Sequence, residues 1–333
     1  MNPIEEEVPM DLHWLRLVSV VSLMLLGAGC GAGGLTASQK AAIGEFSRAT
    51  AAVGETTQTE LADMRARMIR TNEERLILRG PQPGLSAAST LDGNLTVANV
   101  VVVVAAATAV QRYGEMLEAL VEDTQSKELR GAAEKFVASV QQVPSVTLSA
   151  GASDAISAVI VFAGERVVEA EKAHAIKRIV PQTKPAIDQI CDTLTRDFDF
   201  QQAGLAADLS AATEALHGAA SVAFQNTAPP GDAAATQAAI AARAVSLPAL
   251  QYAVQGRVRR DEILTRISKA AAAIKKANAS LADALEHDRW SLEDVKELVG
   301  EAKDLKPAIT ELSTQATGLL ERVKVLTPTG IVR

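Results

Sequence analysis

Apolar residues return every three to four positions over most of the chain, the period of one face of an α-helix. The first such run starts near Thr36 to Ser38, with Ser38 as the expected N-cap, and reads Ile43, Phe46, Thr50, Val53, Leu61, Met64 and Met68. It should end near Leu78, because Arg79-Gly80-Pro81 supplies a helix exit. At 1.5 Å per residue a helix of that length reaches about 60 Å.

A Pro-, Gly- and Ser-rich loop over residues 80–93 precedes the most apolar stretch, Val97 to Val110, which contains five consecutive valines, Val100 to Val104. β-Branched residues favour strands, but the alanines that follow and the helical spacing of Tyr113, Leu117 and Leu120 predict one buried helix. As an apolar run of about 14 residues, it is shorter than a membrane span requires. A helix over 126–143 closes at Pro144, and Ser153-Asp154 should cap a second apolar helix running through Ile156, Val159 and Ile160 to Ile179. Pro181 and Pro185 are expected to break or kink it. A further helix is expected from Ile187 through Ile190, Cys191 and Leu194 to Phe224.

Residues 226–232, containing Pro229-Pro230-Gly231, read as a linker. Beyond it, Leu264, Ile267, Ala271, Ile274, Asn278, Leu281 and Leu285 alternate steps of three and four. After a start at Ser291-Leu292-Glu293-Asp294, so do Ala302, Leu305, Ile309, Leu312, Ala316, Leu319, Val323 and Leu326. This predicts an antiparallel helical pair with coiled-coil-like seams, the second seam passing through Pro307.

Composition sharpens that picture. Alanine is abundant and aromatics are only 3% of the chain, so helices can approach closely but have little bulk for a broad core. The expected fold is all-α: an elongated bundle of long antiparallel helices, with residues 39–225 as the bundle, 226–232 as linker, 233–326 as the pair packed on it, and 327–333 as a tail. The formal charge is −7. Residues 1–29 account for −3 of that, so the chain from Cys30 onward carries −4, which argues against nucleic acid as a partner.

The N-terminal segment is distinctive. One basic residue, Arg16, precedes the apolar run Leu17 to Leu26 and the small-residue patch Gly27 to Gly34, the layout of a secretory signal. Glu5-Glu6-Glu7 suit an n-region poorly, so Met10 is the expected initiator and residues 1–9 an over-extended start. Leu26-Gly27-Ala28-Gly29-Cys30 resembles the lipobox of bacterial lipoproteins, with Ala28 and Gly29 matching the small residues before the cysteine and Gly27 standing where Leu is usual. The resemblance covers residues 10–34. It implies cleavage between Gly29 and Cys30, acylation of Cys30, a lipidated tether over 30–38 and, with Gly31 following the cysteine, the periplasmic face of the outer membrane. An ordinary cleaved signal, giving secretion to the periplasm, and a retained inner-membrane anchor are the alternative readings of the same segment. Several acyl chains hold a protein stably, at about 0.8 kcal/mol per buried methylene.

No other motif carries assignable chemistry. His13, His174, His217 and His287 are scattered, with no zinc spacing. Cys191 shares a face with Ile187, Ile190 and Leu194, as a buried inert thiol would. There is no phosphate loop, nucleophile elbow or paired-carboxylate motif, so no enzymatic activity and no cofactor are expected. Charge is uneven near the end: residues 254–278 carry a net +5 and 279–311 a net −5. Complementary packing of adjacent helices is the plain reading. The sharper one has Arg257, Arg259, Arg260, Arg266 and Lys269 meeting an anionic surface. The expected role is a membrane-anchored structural or protein-interaction module with an envelope protein as partner. A membrane-active, pore-forming-like protein and a ligand-binding, sensor-like bundle are the alternatives.

Overall fold

The computed structural model describes residues 34–80, 85, 90–122, 126–162, 169–229, 231–287, 293, 295–297 and 299–301. The signal segment and Cys30 lie outside the described residues, as does the seam from Ala302 to Leu326. Within the described residues the fold is all-α, a helical bundle without strands. The helices are α1 (Ala37–Arg79), α2 (Val97–Val121), α3 (Ser126–Gln141), α4 (Ala150–Phe162), α5 (Glu169–Phe198), α6 (Leu205–Gln225), α7 (Ala233–Arg259) and α8 (Thr265–His287), with a π-helical turn, Arg260–Leu264, joining α7 to α8.

Helix α1 is 43 residues long and starts one step before the expected cap. Thr36, not Ser38, closes a capping box with Gln39. It lies antiparallel on α2, and the approach is close because two glycines face the neighbouring backbone. A Cβ at Gly54 would sit 2.6 Å from the Gln111 nitrogen, and one at Gly114 would sit 2.4 Å from the Ser47 carbonyl oxygen. Around this contact Phe46, Tyr113 and Phe136 form the aromatic centre of the main core, with ring centroids 6.3 and 5.4 Å apart.

The valine run is helical, and the helix is longer than the apolar run: α2 has 25 residues and is long and apolar enough to cross a membrane by length and composition alone. Nor is it buried all round. Val103, Ala106, Ala107 and Val110 are inside, whereas Val97 and Val101 are more than half exposed.

Three expected boundaries are corrected. Helix α4 begins at Ala150, capped by the Ser149 hydroxyl, which accepts from Ala152 N at 3.1 Å. Helix α5 runs unbroken through Pro181 and Pro185. Both prolines sit on the less buried side, Pro181 half-buried and Pro185 exposed, while Ile179, Val180, Ile187 and Ile190 are buried. Burial of that face outweighs two lost backbone bonds. The helix expected to run from Ile187 to Phe224 is in fact two, because the chain turns at Asp199–Gly204. There a Cβ on Gly204 would lie 2.7 Å from the Arg196 carbonyl oxygen, a spacing only glycine permits.

The residues of α7, the π turn and α8 number 27, 5 and 23 and form one continuous rod, about 80 Å long at 1.5 Å per residue. It passes two neighbourhoods. Its α8 half packs antiparallel on α5 and joins the main core with Ile267, Ile274, Leu281 and Leu285. Its α7 half packs antiparallel on α6 around a small separate cluster of Leu216, Ala220, Ala249 and Ala253. The end at which α1 begins also holds the start of α5, where Lys40 pairs with Glu169. The α6–α7 layer lies toward the other end of α1, where Leu78 packs against it.

Candidate functional site

The basic residues singled out in the sequence converge at the π turn, and most face inward. Glu60 of α1 is fully buried and accepts from two guanidiniums, those of Arg67 and Arg259, the latter at 2.7 Å. Arg259 also reaches Asp63 at 2.6 Å. Burial pushes the Arg67 guanidinium below its ordinary value, with Glu60 opposing. For Arg259, burial works in the same downward direction but is outweighed by its hydrogen bond and attraction to Glu60, and the net shift is upward. Arg257 and Arg260 both pair with Glu214 on α6, and Arg260 lies over the Phe200 ring at 4.7 Å. Arg70 stacks on Tyr252 at 4.5 Å, and the Tyr252 hydroxyl donates to the Arg67 carbonyl.

Arg257, Arg259 and Arg260 therefore bind the α7 rod to α1 and α6. Arg266 is half-buried in the first turn of α8, and Lys269 is exposed. The acids that Arg257, Arg259 and Arg260 meet, Glu214, Glu60, Asp63 and Asp261, lie outside residues 279–311. Of the basic stretch, Lys276 pairs with Glu297 at 2.8 Å, while Lys275 pairs with Asp192 on α5. Sequence reading could find the charge asymmetry but not Glu60, whose surroundings on α1 carry no distinguishing spacing.

Deeper in the core, Asn278 occupies a seam position of α8 and accepts the Tyr113 hydroxyl at 2.8 Å, with Thr183 Oγ1 at 3.5 Å from the same oxygen. Burial raises the Tyr113 phenol far above its ordinary value. A single buried amide in an apolar seam fixes register at some cost in stability. Cys191 is buried and unpaired, its thiol pushed up by burial and by nearby Asp188 and Asp192, as suits an inert side chain.

A cleft of about 310 Å³ lies between α1, the 90–95 turn and α6, lined by Met68, Asn72, Arg75, Leu85, Asn94 and Asp208 among others. Asn72 donates to the Leu91 carbonyl and accepts from Arg75 at 2.9 Å; Asn94 donates to Asp208 at 3.1 Å. Burial and the neighbouring Arg79 lower the Arg75 guanidinium. This cleft was not legible in the sequence, since its residues come from three separated segments with no shared spacing.

His174 and His287 are exposed and His217 is half-buried on separate helices. Among the described residues no three His, Cys, Asp or Glu side chains gather closely enough to hold a metal ion. In comparisons with protein-family models, curated proteins and solved structures, nothing matches this chain.

Proposed function

We propose that the chain is a lipid-anchored envelope protein that acts as a non-catalytic structural or interaction module, held at the periplasmic face of the outer membrane through Cys30. One observation carries the reading: the two ends of the bundle differ. Residues 34–36 lead into α1 beside Lys40 and Glu169, whereas the far ends of α1 and α6 present Ile77, Val222 and Phe224 to solvent, with exposures of 64%, 69% and 38%. Apolar side chains displayed away from the anchor suit contact with an envelope protein. Meanwhile the strongly charged groups are engaged within the fold. Two measurements test the reading. Cys30→Ser should move the protein from the membrane fraction to the soluble fraction. A photo-crosslinker at Val222 should capture a discrete envelope protein in cells; a Cys30→Ser protein that stays wholly membrane-bound would refute the anchor.

The cleft favours a second reading, a bundle that binds a small ligand. Arg75 bonds there to a neutral amide, leaving its charge available to an anionic group. A panel of small carboxylates and phosphates should then raise the melting temperature, and Arg75→Ala should abolish the rise. A panel without any shift would remove this reading.

A further inference from the structure

Two opposite charges border one cleft, and neither is neutralised there. Arg75 of α1 and Asp208 of α6 both line the space between α1, the 90–95 turn and α6, and both are half-buried. Among the described residues the side chain of each meets only a neutral amide. Arg75 Nη1 donates to Asn72 Oδ1 at 2.9 Å, and Asp208 Oδ2 accepts from Asn94 Nδ2 at 3.1 Å. The amides are themselves fixed: Asn72 is buried and donates to the Leu91 carbonyl, and the Asn94 carbonyl accepts from Asn99. The two charges are therefore positioned by the fold without being paired by it.

Both groups keep bonding capacity in reserve. A guanidinium carries five N–H donors and a carboxylate two acceptor oxygens; one nitrogen of Arg75 and one oxygen of Asp208 are engaged. Burial and the neighbouring Arg79 lower the Arg75 guanidinium, as befits a cation whose counter-charge the fold does not supply. The rest of the cleft offers apolar wall from both helices, Met68 of α1 and Ala211, Ala212 and Ala215 of α6. Its volume of about 310 Å³ falls at the lower end of the range for small-molecule sites, about 300–1,000 Å³. That is room for a small molecule and not for a folded segment.

We propose that the cleft takes a free α-amino acid with an aliphatic side chain, its carboxylate on Arg75, its ammonium on Asp208 and its side chain along Met68 and the alanines. The proposal rests on the ligand-binding reading of the cleft given above and adds the ammonium site to it. A guanidinium suits a carboxylate because the fork of donors matches its two oxygens. A lone carboxylate would satisfy Arg75 but bring a second negative charge toward Asp208, and a lone amine would do the converse beside Arg75. Only a zwitterion answers both.

The test is isothermal calorimetry on the full chain, purified in mild detergent, with L-leucine and two analogues that each lack one charge: 4-methylpentanoate without the ammonium and 3-methylbutylamine without the carboxylate. Both protein groups are half-buried, so screening keeps the worth of each charge modest. Leucine should still bind at least about tenfold tighter than either analogue. Asp208→Asn keeps an oxygen for Asn94 and should weaken leucine at least about tenfold while leaving 4-methylpentanoate within about twofold. Arg75→Ala should weaken both. Circular dichroism melts of the two variants without ligand check that the fold persists. Equal affinity for leucine and 4-methylpentanoate, unmoved by Asp208→Asn, would overturn the amino-acid proposal and leave the anion reading standing. Tighter binding of O-phosphoethanolamine than of leucine would overturn it in favour of a zwitterionic lipid headgroup. No heat from leucine, together with no thermal shift from any carboxylate or phosphate, would overturn both the proposal and the reading beneath it.

Discussion

The layer built from α1 to α5 and α8 and the α6–α7 layer hold together by different means. The first fits shapes: Gly54 and Gly114 let α1 and α2 approach to backbone contact, and Phe46, Tyr113, Met116 and Leu117 fill the space between helices. In the second, the first half of α6 joins the main core through Leu205, Ala206 and Leu209, but α7 is held by a separate cluster of one leucine and three alanines and by ion pairs at its junction with α1, Glu60 with Arg259 above all. Small side chains bury little apolar area, at about 25 cal/mol per Å². The helix that joins the layers is one rod, so the contrast arises from what lines it and not from a change of chain direction. A layer of the second kind should open first and a layer of the first kind last.

The largest expected effect tests the charged junction. Glu60→Ala removes the shared buried carboxylate and leaves Arg67 and Arg259 largely buried beside one another, with the more exposed Asp63 still facing both. Breaking a buried pair by deleting one partner costs about 3–5 kcal/mol. Calorimetry should show a loss of that size, and hydrogen exchange should place it in α7. A change under about 1 kcal/mol would mean that the small apolar cluster holds α7 without the pairs.

Next comes the close packing of α1 on α2. In an ordinary helix Gly→Ala stabilises by about 0.5–1 kcal/mol. Gly114→Ala should do the reverse, because the new methyl would lie 2.4 Å from the Ser47 carbonyl oxygen and 2.6 Å from the Ala51 nitrogen. Forcing backbone apart in a packed core costs about 1–3 kcal/mol. A neutral or stabilising outcome, measured by urea denaturation, would show that α1 and α2 can separate freely.

A matched pair of truncations then compares the layers directly. Leu117 and Leu216 are both fully buried. Leu117→Ala in the large core should cost about 4 kcal/mol, while Leu216→Ala, with partly exposed Leu78 and Leu250 able to close in, should cost about 2 kcal/mol. Equal losses would remove the distinction between the two cores.

How much of this the sequence carries depends on whether a feature is periodic. The helices were legible because a buried face repeats every three to four residues, and even Asn278 stands in its seam where Tyr113 meets it. The unbroken α5 was not legible. Proline acts locally, and its tolerance depends on which side of the helix meets water, a tertiary property. The turn at Gly204 was missed for a related reason: a glycine in an Ala-rich run is unremarkable until the preceding helix end lies against it. Of the site, the arginines were visible as a charge excess, but their destination was not. Glu60 is separated from Arg259 by most of the chain, and no spacing links them.

The smallest expected effect concerns pH and distinguishes the layers by their surface charges. Glu214 is held below its ordinary value of 4.5 by its hydrogen bond to Arg257, against burial, and then by the charges of Arg257 and Arg260. Glu169 is lowered in the same way, first by Lys40. A carboxylate depressed in the folded state adds stability above its unfolded pKa, and that increment is lost as pH falls through the lower folded value. Both layers should therefore weaken below about pH 4.5, the unfolded reference. Each side chain is more than a third exposed, 44% for Glu214 and 56% for Glu169, so water screens the pairs and the effect should stay under about 1 kcal/mol. The asymmetry lies in what else holds each site. Glu169 sits beside the large apolar core, whereas Glu214 binds two arginines across the thin α6–α7 contact. Glu214→Gln should thus flatten the acid limb of α7 hydrogen exchange more than Glu169→Gln flattens that of α5. About 0.5 M salt, which shortens screening to a few ångströms, should remove the difference. If both variants flatten their limbs equally, the α6–α7 layer is no more dependent on charge than its neighbour.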